Sequence, residues 1–204
     1  TTARCQNNGQ SCIAAKRFIV HTDVYDEFAR LFVENLAAQT VGDPTDDGTD
    51  IGPLATEQGR QDVVDLVTDA TAKGARVLTG GEVPDGPGWF YPPTVIADIT
   101  TEMDIYGEEV FGPVASLYRA TDADDALRIA NDTDFGLGSN VWTTDESEID
   151  QFVDGFEAGQ VFVNGMTTSY PAIAFGGVKN SGHGRELTEF GIREFCNVKT
   201  VWVA

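Results

Sequence analysis

Cys12 and its neighbours have the clearest capacity for covalent chemistry. The chain reads Asn-Asn-Gly-Gln-Ser-Cys over residues 7–12, and small residues and an apolar run from Arg17 to His21 follow directly. A thiol at the first turn of a helix faces unpaired backbone N–H groups and the positive end of the helix dipole, which favour the thiolate. The pattern therefore predicts Cys12 as a covalent nucleophile, with a buried structural cysteine as the alternative.

The segments that must position Cys12 alternate between strand-like and helix-like periods of hydrophobicity. Strands are predicted at residues 17–21, 76–78, 95–99, 114–118, 140–142, 160–164 (a buried strand) and 198–203. Helices are predicted at residues 23–39, 56–73, 122–130, 145–156 and 187–195, with Thr56 and Thr121 as N-caps. Because this alternation is typical of parallel βαβ units, we predict an α/β fold with a doubly wound, mostly parallel sheet.

The composition bounds the class of protein and its partners. The 204 residues, 41% of them hydrophobic, suit one globular domain of ordinary size. The 33 acidic and 13 basic residues give a formal net charge of −20, which repels nucleic acid and anionic membranes. No stretch reaches the ~20 consecutive apolar residues of a membrane span. We therefore expect neither a nucleic-acid partner nor a membrane partner.

Charge and cysteine content also indicate the surroundings of the protein. An acidic, lysine-poor composition suggests a halophilic protein, because counterions at high salt screen the repulsion between its carboxylates. The cysteines Cys5, Cys12 and Cys196 are odd in number and lack the paired spacing of a disulfide scaffold or a zinc site. A cytoplasmic location is expected, and no metal site is predicted.

Three motifs, in order along the chain, resemble those of the aldehyde dehydrogenase superfamily. Residues 9–12 (Gly-Gln-Ser-Cys) resemble its nucleophile loop, and residues 109–113 (Glu-Val-Phe-Gly-Pro) resemble its Glu-x-Phe-Gly-Pro motif. Residues 175–186, which are rich in glycine, resemble its C-terminal catalytic loop. The resemblance extends over essentially all of the chain.

This resemblance implies an organisation of the chain. It implies the catalytic domain of the superfamily over residues 1–196 and a C-terminal oligomerisation strand over residues 197–204, through which a homo-oligomer (dimer or tetramer) would assemble. The N-terminal cofactor-binding domain, the general-base glutamate and the oxyanion-hole asparagine of the family would precede Thr1. No Gly-x-Gly-x-x-Gly follows a strand here. The chain is therefore expected to be the catalytic portion of a longer enzyme.

A reaction is implied by the same resemblance. Cys12 would attack the carbon of a small-molecule aldehyde to give a thiohemiacetal, and loss of hydride to NAD or NADP would leave a thioester that water releases as an acid. The backbone N–H of Cys12 would be one donor to the oxyanion. Residues 7–17, 89–94 and 164–171 are similar to the succinate-semialdehyde branch of the family, which makes succinate semialdehyde the expected substrate.

Two residues of the second motif receive cofactor-binding roles from the resemblance. Glu109 would accept hydrogen bonds from the nicotinamide ribose and so position the ring for hydride transfer. Phe111 would pack against the nicotinamide. The alternatives are a solvated surface carboxylate for Glu109 and a core aromatic for Phe111.

Two further residues receive roles in catalysis and substrate binding. Glu186 would pass a proton to deeper water, or would pair with Arg185 or Arg193 as a structural link. Ser169 would help to hold the distal carboxylate of the substrate, although a loop serine usually bonds its own backbone. Gln6 stands where some members of the family carry an arginine, so the cationic partner expected for that carboxylate is not identified.

Other functions stay open beside the dehydrogenase. A non-catalytic domain that keeps the fold for assembly or binding is one, because the general base and the cofactor domain are missing from the chain. His21 and His183 allow a Cys–His hydrolase, but neither lies in a recognisable partner motif. The presence of Cys12, Glu109 and Phe111 together favours the dehydrogenase.

Overall fold

A four-stranded sheet lies at the centre of the first of two units in this protein. The computed structural model describes residues 1–204, and the chain divides into one unit over Thr1–Thr133 and a second over Asp134–Ala204. The sequence analysis did not predict this division. The predicted domain boundary between residues 196 and 197 stays a prediction.

The first unit combines five α-helices with the four strands of the sheet. The helices are α1 (Thr2–Cys5), α2 (Thr22–Ala37), α3 (Glu57–Ala72), α4 (Asp104–Gly107) and α5 (Ala123–Asn131), and a 3₁₀ helix covers Gln6–Gly9. The strands are β1 (Arg17–His21), β2 (Arg76–Thr79), β3 (Thr94–Ala97) and β4 (Val114–Ala120). The strand order in the sheet is β1-β4-β3-β2. Strands β1 and β3 both pair with β4 in parallel, whereas β2 pairs with β3 antiparallel.

Helices cover both faces of this sheet. Successive side chains of a strand point to opposite faces, so Val95 and Ile96 of β3 face different layers. Val95 belongs to a core cluster with Leu36 of α2, and Ile96 belongs to another with Val67 of α3. The predicted α/β fold with a doubly wound, mostly parallel sheet is therefore confirmed.

The first residues of two helices test the predicted N-caps. Thr56 caps α3, because its hydroxyl oxygen accepts a hydrogen bond from the backbone N–H of Gly59 at 3.0 Å. The prediction of Thr121 as the cap of α5 is wrong, since Asp122 accepts from the N–H of Asp125 at 2.8 Å. Thr121 lies one residue before the cap and donates its own N–H to the Asp125 carboxylate.

The second unit contains two helices and two small sheets. Its elements are β5 (Phe135–Gly136), β6 (Ser139–Val141), α6 (Glu146–Gly155), β7 (Val161–Val163), β8 (Val178–Lys179) and α7 (Thr188–Glu194). Strands β5 and β8 pair antiparallel, and β6 and β7 pair in parallel.

Two predictions about strands in this unit are corrected. The strand at 160–164 was expected to be buried, but β7 has only β6 beside it and its Val163 is exposed. No strand forms at residues 198–203, where Val198 and Trp202 are almost fully exposed. A strand needs a partner to satisfy its backbone groups, and these residues pair with none in the single chain. No helix of the structure has the length and apolar character needed to cross a bilayer.

Candidate active site

Cys12 lies in an exposed turn between the 3₁₀ helix and β1. The predicted position at a helix N-terminus is wrong, because the chain forms only bends and turns from Cys12 to the start of β1 and no helix begins there. The alternative of a buried structural cysteine is wrong as well. The backbone N–H of Cys12 donates to no acceptor in the structure, so both the thiol and this N–H are free to meet a ligand.

The turn before Cys12 depends on an unusual backbone conformation. Asn7, Asn8 and Gly9 have consecutive positive φ angles of 50°, 56° and 74°. Glycine adopts this left-handed region freely, and asparagine does so more readily than other residues. The Asn-Asn-Gly sequence is therefore what allows the chain to reverse before Cys12.

Side chains of the same motif attach the turn to a neighbouring loop. The Asn8 side-chain oxygen accepts from the N–H of Gly52 at 3.0 Å, and the Gln10 side-chain oxygen accepts from the N–H of Ala55 at 2.9 Å. The two amide side chains thus satisfy backbone donors that have no partner in a helix or strand. They hold the loop before α3 against the turn of residues 7–12, the Cys12 turn.

Arg4 is a fully buried residue to which the sequence analysis gave no role. Its guanidinium donates to the carbonyl oxygen of Gly9 at 2.6 Å and to that of Val114 at 3.2 Å. Burial lowers the pKa of Arg4 to about 10, so the group stays charged near neutral pH. Arg4 therefore links the Cys12 turn to the first residue of β4 through these two hydrogen bonds. A lone arginine in a short helix carries no sequence signal of such burial.

The first and second motifs meet at two glycines. A Cβ atom built on Gly9 would lie 2.3 Å from the carbonyl oxygen of Gly112, far inside any real contact. Gly112 is the glycine of the Glu-x-Phe-Gly-Pro motif, so the two backbones touch where neither has a side chain. This contact brings the segment of Glu109 and Phe111 beside the segment of Cys12.

Lys16 joins the same two segments through its ammonium group. Its Nζ lies 3.0–3.2 Å from the carbonyl oxygens of Ser11, Cys12 and Ala14, to which it donates. Nζ also lies 3.0 Å from Oε1 of Glu109, and the Lys16 side chain is only 16% exposed. Burial lowers the pKa of Lys16, and the nearby Glu109 carboxylate opposes that effect. The sequence analysis gave this lysine no role, since its partners are backbone carbonyls that a sequence motif does not show.

Glu109 and Phe111 border an open groove. The groove has a volume of about 450 Å³, and its walls come from both motifs and from α3: Asn7, Gln10, Thr56, Asp62, Glu109 and Phe111. Phe111 is 43% exposed, so the alternative of a core aromatic is wrong. Glu109 is 35% exposed and uses only Oε1 for Lys16, which excludes a purely solvated carboxylate.

The groove suits a ribose that carries a flat ring. The second carboxylate oxygen of Glu109 has no partner in the protein and can accept a hydroxyl group, while the exposed Phe111 ring offers an apolar surface. A buried ammonium group beside both residues holds them in place. These residues therefore fit the nicotinamide riboside of a dinucleotide.

Glu186 and Ser169 belong to the second unit. The backbone of Glu186 pairs with Phe175 through two hydrogen bonds of 2.9 and 2.6 Å, which fix the glycine-rich loop between them. Neither arginine forms the suggested structural link, because Arg193 pairs with Glu189 and Arg185 donates to backbone carbonyls. Ser169 is exposed in the loop that follows β7.

The histidine and glutamine that the sequence analysis considered have other surroundings. His21 accepts a hydrogen bond from the N–H of Asp23 at 3.3 Å and caps α2, which leaves it no part in a Cys–His pair. The amide nitrogen of Gln6 is buried without a partner.

Comparison with known proteins identifies the same family that the three motifs resemble. The sequence model of the aldehyde dehydrogenase family matches residues 1–201. A relative named succinate-semialdehyde dehydrogenase (NADP+), from Mycobacterium avium, is 66% identical over 202 residues, which are 99% of this chain and 43% of that protein. The chain therefore spans less than half the length of such relatives.

Solved structures agree with the family match. The succinic semialdehyde dehydrogenase of Streptococcus pyogenes in complex with NADP+ superposes with a TM-score of 0.94 at 38% identity, covering 98% of this chain and 44% of that one. Aldehyde dehydrogenase 21 of Physcomitrella patens, in complex with the reaction product succinate, superposes with a TM-score of 0.90 at 34% identity and covers 95% of this chain and 40% of that one.

Proposed function

Because the chain belongs to the aldehyde dehydrogenase family, we propose that it is the catalytic portion of an NADP-dependent succinate-semialdehyde dehydrogenase. The observation that carries the proposal is the exposed Cys12 turn, joined through Lys16 to Glu109 at the edge of a groove. The choice of NADP over NAD, and of succinate semialdehyde as substrate, is supported by the names of the relatives and of the solved structures.

The proposed chemistry begins at the Cys12 sulfur. The thiolate attacks the aldehyde carbon, and the carbonyl oxygen becomes an oxyanion to which the unengaged Cys12 N–H donates. Departure of a hydride from that carbon restores the C=O bond and leaves a thioester on Cys12. Water then attacks the thioester, the C–S bond breaks, and the carboxylic acid leaves while the thiolate is restored.

The residues of the groove hold the cofactor in this proposal. NADP, when bound, supplies the hydride acceptor. Glu109 accepts the ribose hydroxyls with the carboxylate oxygen that Lys16 does not use, and Phe111 packs against the nicotinamide. A carboxylate fixed on one side by an ion pair loses little freedom when it binds a ribose, which favours correct orientation.

The second unit supplies the remaining proposed roles. Glu186 passes a proton to the water that releases the acid, and Ser169 donates its hydroxyl to the distal carboxylate of the substrate. Exposure of Ser169 and the absence of an arginine partner for Glu186 support these roles. We place the cofactor-binding domain and the general base in the part of the full-length protein outside these residues.

The proposal includes assembly and location. Residues 197–204 form a strand only when they meet the sheet of another subunit, giving a dimer or tetramer. Their exposed apolar side chains in the single chain support this role. A cytoplasmic location suits the three free cysteines.

The test of the proposal uses the full-length protein. We expect Cys12→Ala to abolish oxidation of succinate semialdehyde, because the covalent route then has no nucleophile, while NADPH binding followed by fluorescence stays almost unchanged. We also expect succinate semialdehyde to have a higher kcat/KM than acetaldehyde, which lacks the distal carboxylate, and NADP to be preferred over NAD in the same steady-state assays.

Cys196→Ala is the matched control, since Cys196 is exposed like Cys12 but lies outside all three motifs. It should keep full activity. Substantial turnover by the Cys12→Ala enzyme would contradict the covalent mechanism. NADPH binding without oxidation of any aldehyde by the unaltered protein would instead favour the alternative of a non-catalytic binding domain.

A further inference from the structure

Lys16 makes and breaks no bond in the proposed reaction, yet its ammonium group contacts both segments that carry it. Nζ lies within 3.2 Å of the carbonyl oxygens of Ser11, Cys12 and Ala14, and 3.0 Å from the Glu109 carboxylate. We propose that Lys16 is a positioning residue that sets the Cys12 turn and the cofactor-binding carboxylate relative to each other. The inference deepens the proposed function and rests on it.

The hydrogen-bond inventory of Lys16 explains how it can serve throughout a reaction cycle. An ammonium group has three N–H donors, and here it meets four acceptors, of which three are backbone carbonyls. If Glu109 turns towards a ribose hydroxyl, every donor of Lys16 still has a carbonyl partner. Lys16 therefore stays hydrogen-bonded to the Cys12 turn whether or not its ion pair with Glu109 persists.

The burial of Lys16 makes this arrangement specific for lysine. Its side chain is only 16% exposed, and a charged group so buried is stable only with charged or polar partners. The three carbonyls converge on one nitrogen atom. A planar guanidinium spreads its donors over three nitrogen atoms, none of which carries three N–H groups, so arginine replaces the charge without replacing the geometry.

The position of Lys16 matters because hydride transfer depends on the placement of two groups at once. The carbon bound to Cys12 and the ring held by Glu109 must meet at close range, and a misplacement of about 1 Å costs roughly 100-fold in rate. Lys16 contacts the backbone of the first group and the side chain that holds the second. Loss of its ammonium should therefore affect cofactor binding and nucleophile behaviour together.

The first test is a double-mutant cycle on cofactor affinity in the full-length protein. Lys16→Met keeps an apolar side chain of similar length without the charge. We expect Lys16→Met and Glu109→Gln each to weaken NADPH binding about tenfold in a fluorescence titration, since a hydrogen bond to a charged group is lost. The double variant should bind within about twofold of either single variant, because Lys16 affects NADPH binding only through Glu109 in this proposal. Effects that multiply in the double variant would overturn the coupling.

The second test follows the nucleophile without turnover. We expect Lys16→Met to slow the alkylation of Cys12 by iodoacetamide about tenfold near neutral pH, because the turn that presents the thiol loses the ammonium group that holds its carbonyls. Glu109→Gln should leave this rate within about twofold, since Lys16 retains its three carbonyls. An unchanged rate in Lys16→Met would overturn the inference. Lys73→Met removes an ammonium that pairs with Asp69 and Asp104 outside the motifs, and should change neither NADPH affinity nor alkylation.

Lys16→Arg keeps the inference testable if Lys16→Met fails to fold. We expect it to keep NADPH affinity within about threefold, because the charge beside Glu109 remains, and to lower kcat about tenfold, because the turn loses its convergent donor. Wild-type values for both parameters would overturn the inference. If Cys12→Ala is inactive while both Lys16 variants behave as wild type, only this inference fails. If Cys12→Ala is active, the proposed function itself fails.

Discussion

The three cysteines of this protein differ in their surroundings, and the differences bear directly on which of them can be a nucleophile. Cys5 is half-buried, and burial raises the pKa of its thiol, so little of it ionises near neutral pH. Cys196 is exposed, and its thiol donates to the carbonyl oxygen of Ile192. Cys12 is exposed on a turn whose carbonyls surround the Lys16 ammonium group. Cys12 therefore combines access with a nearby positive charge.

We expect iodoacetamide near neutral pH to label Cys12 at least about tenfold faster than Cys5 and Cys196, because Cys12 is exposed whereas Cys5 is half-buried with a raised pKa and the Cys196 thiol is hydrogen-bonded. Peptide mass spectrometry over a time course measures the three rates in one sample. Raising the pH should accelerate the labelling of Cys5, because the pH then approaches the raised pKa of its thiol and more of the thiol ionises. Equal, slow labelling of all three cysteines would contradict a reactive Cys12.

At the scale of elements, the contact between Gly9 and Gly112 joins the two motifs of the first unit. Alanine at position 9 would place its Cβ 2.3 Å from the Gly112 carbonyl oxygen and would also hold an unfavourable φ of 74°. We expect Gly9→Ala to lower the free energy of unfolding by about 3 kcal/mol, as the sum of backbone strain and overpacking. Urea unfolding followed by circular dichroism measures this change.

Gly74 offers a matched control for that prediction. Its φ is 106°, but nothing lies within 4 Å of the Cβ that alanine would add. Gly74→Ala should therefore cost only the backbone strain, about 1–2 kcal/mol. If both variants lose the same stability, the Gly9–Gly112 approach is no tighter than an ordinary turn, and the two motifs are not joined in this way.

The elements also show which features of the fold a sequence can predict. The periods of apolar residues identified β1, α2 and α3 because the two helices bury one face against the sheet and β1 lies within the sheet, and burial imposes a period. The turn of Cys12 could not be predicted in the same way, since Arg4 and Lys16 hold it through hydrogen bonds to backbone carbonyls, which every residue type carries. The family resemblance singled out Cys12, which the structure leaves exposed, whereas local reasoning placed it on the wrong element. Its role as the nucleophile stays a prediction.

The predicted strand at residues 198–203 failed for a different reason. Its composition is typical of a strand, but strands form by pairing, and the single chain offers these residues no neighbour. Composition therefore predicts the capacity of a segment to pair and leaves the partner undetermined. The same holds for β7, whose apolar residues are only partly buried because β6 is its sole neighbour.

At the scale of the whole molecule, carboxylates far outnumber cations. With 33 acidic and 13 basic residues, at least 20 carboxylates have no basic residue of their own to pair with. Some of the basic residues pair only with carboxylates on their own helix, such as Arg30 with Glu27 and Glu34. The unpaired carboxylates repel one another in the folded state, and added salt screens that repulsion.

We expect the melting temperature to rise by about 5 °C or more between low salt and about 2 M KCl. Each kcal/mol of stability gained by screening the repulsion raises the melting temperature by roughly 2–4 °C for a chain of this size. Differential scanning calorimetry measures the shift. A triple variant that neutralises exposed carboxylates, Asp85→Asn, Glu102→Gln and Asp154→Asn, should be more stable than wild type in low salt and should gain less from KCl, because less repulsion remains to be screened. A non-ionic osmolyte at matched osmolality separates screening from exclusion effects. Equal melting temperatures in low and high KCl would show that the acidic surface is no adaptation to salt.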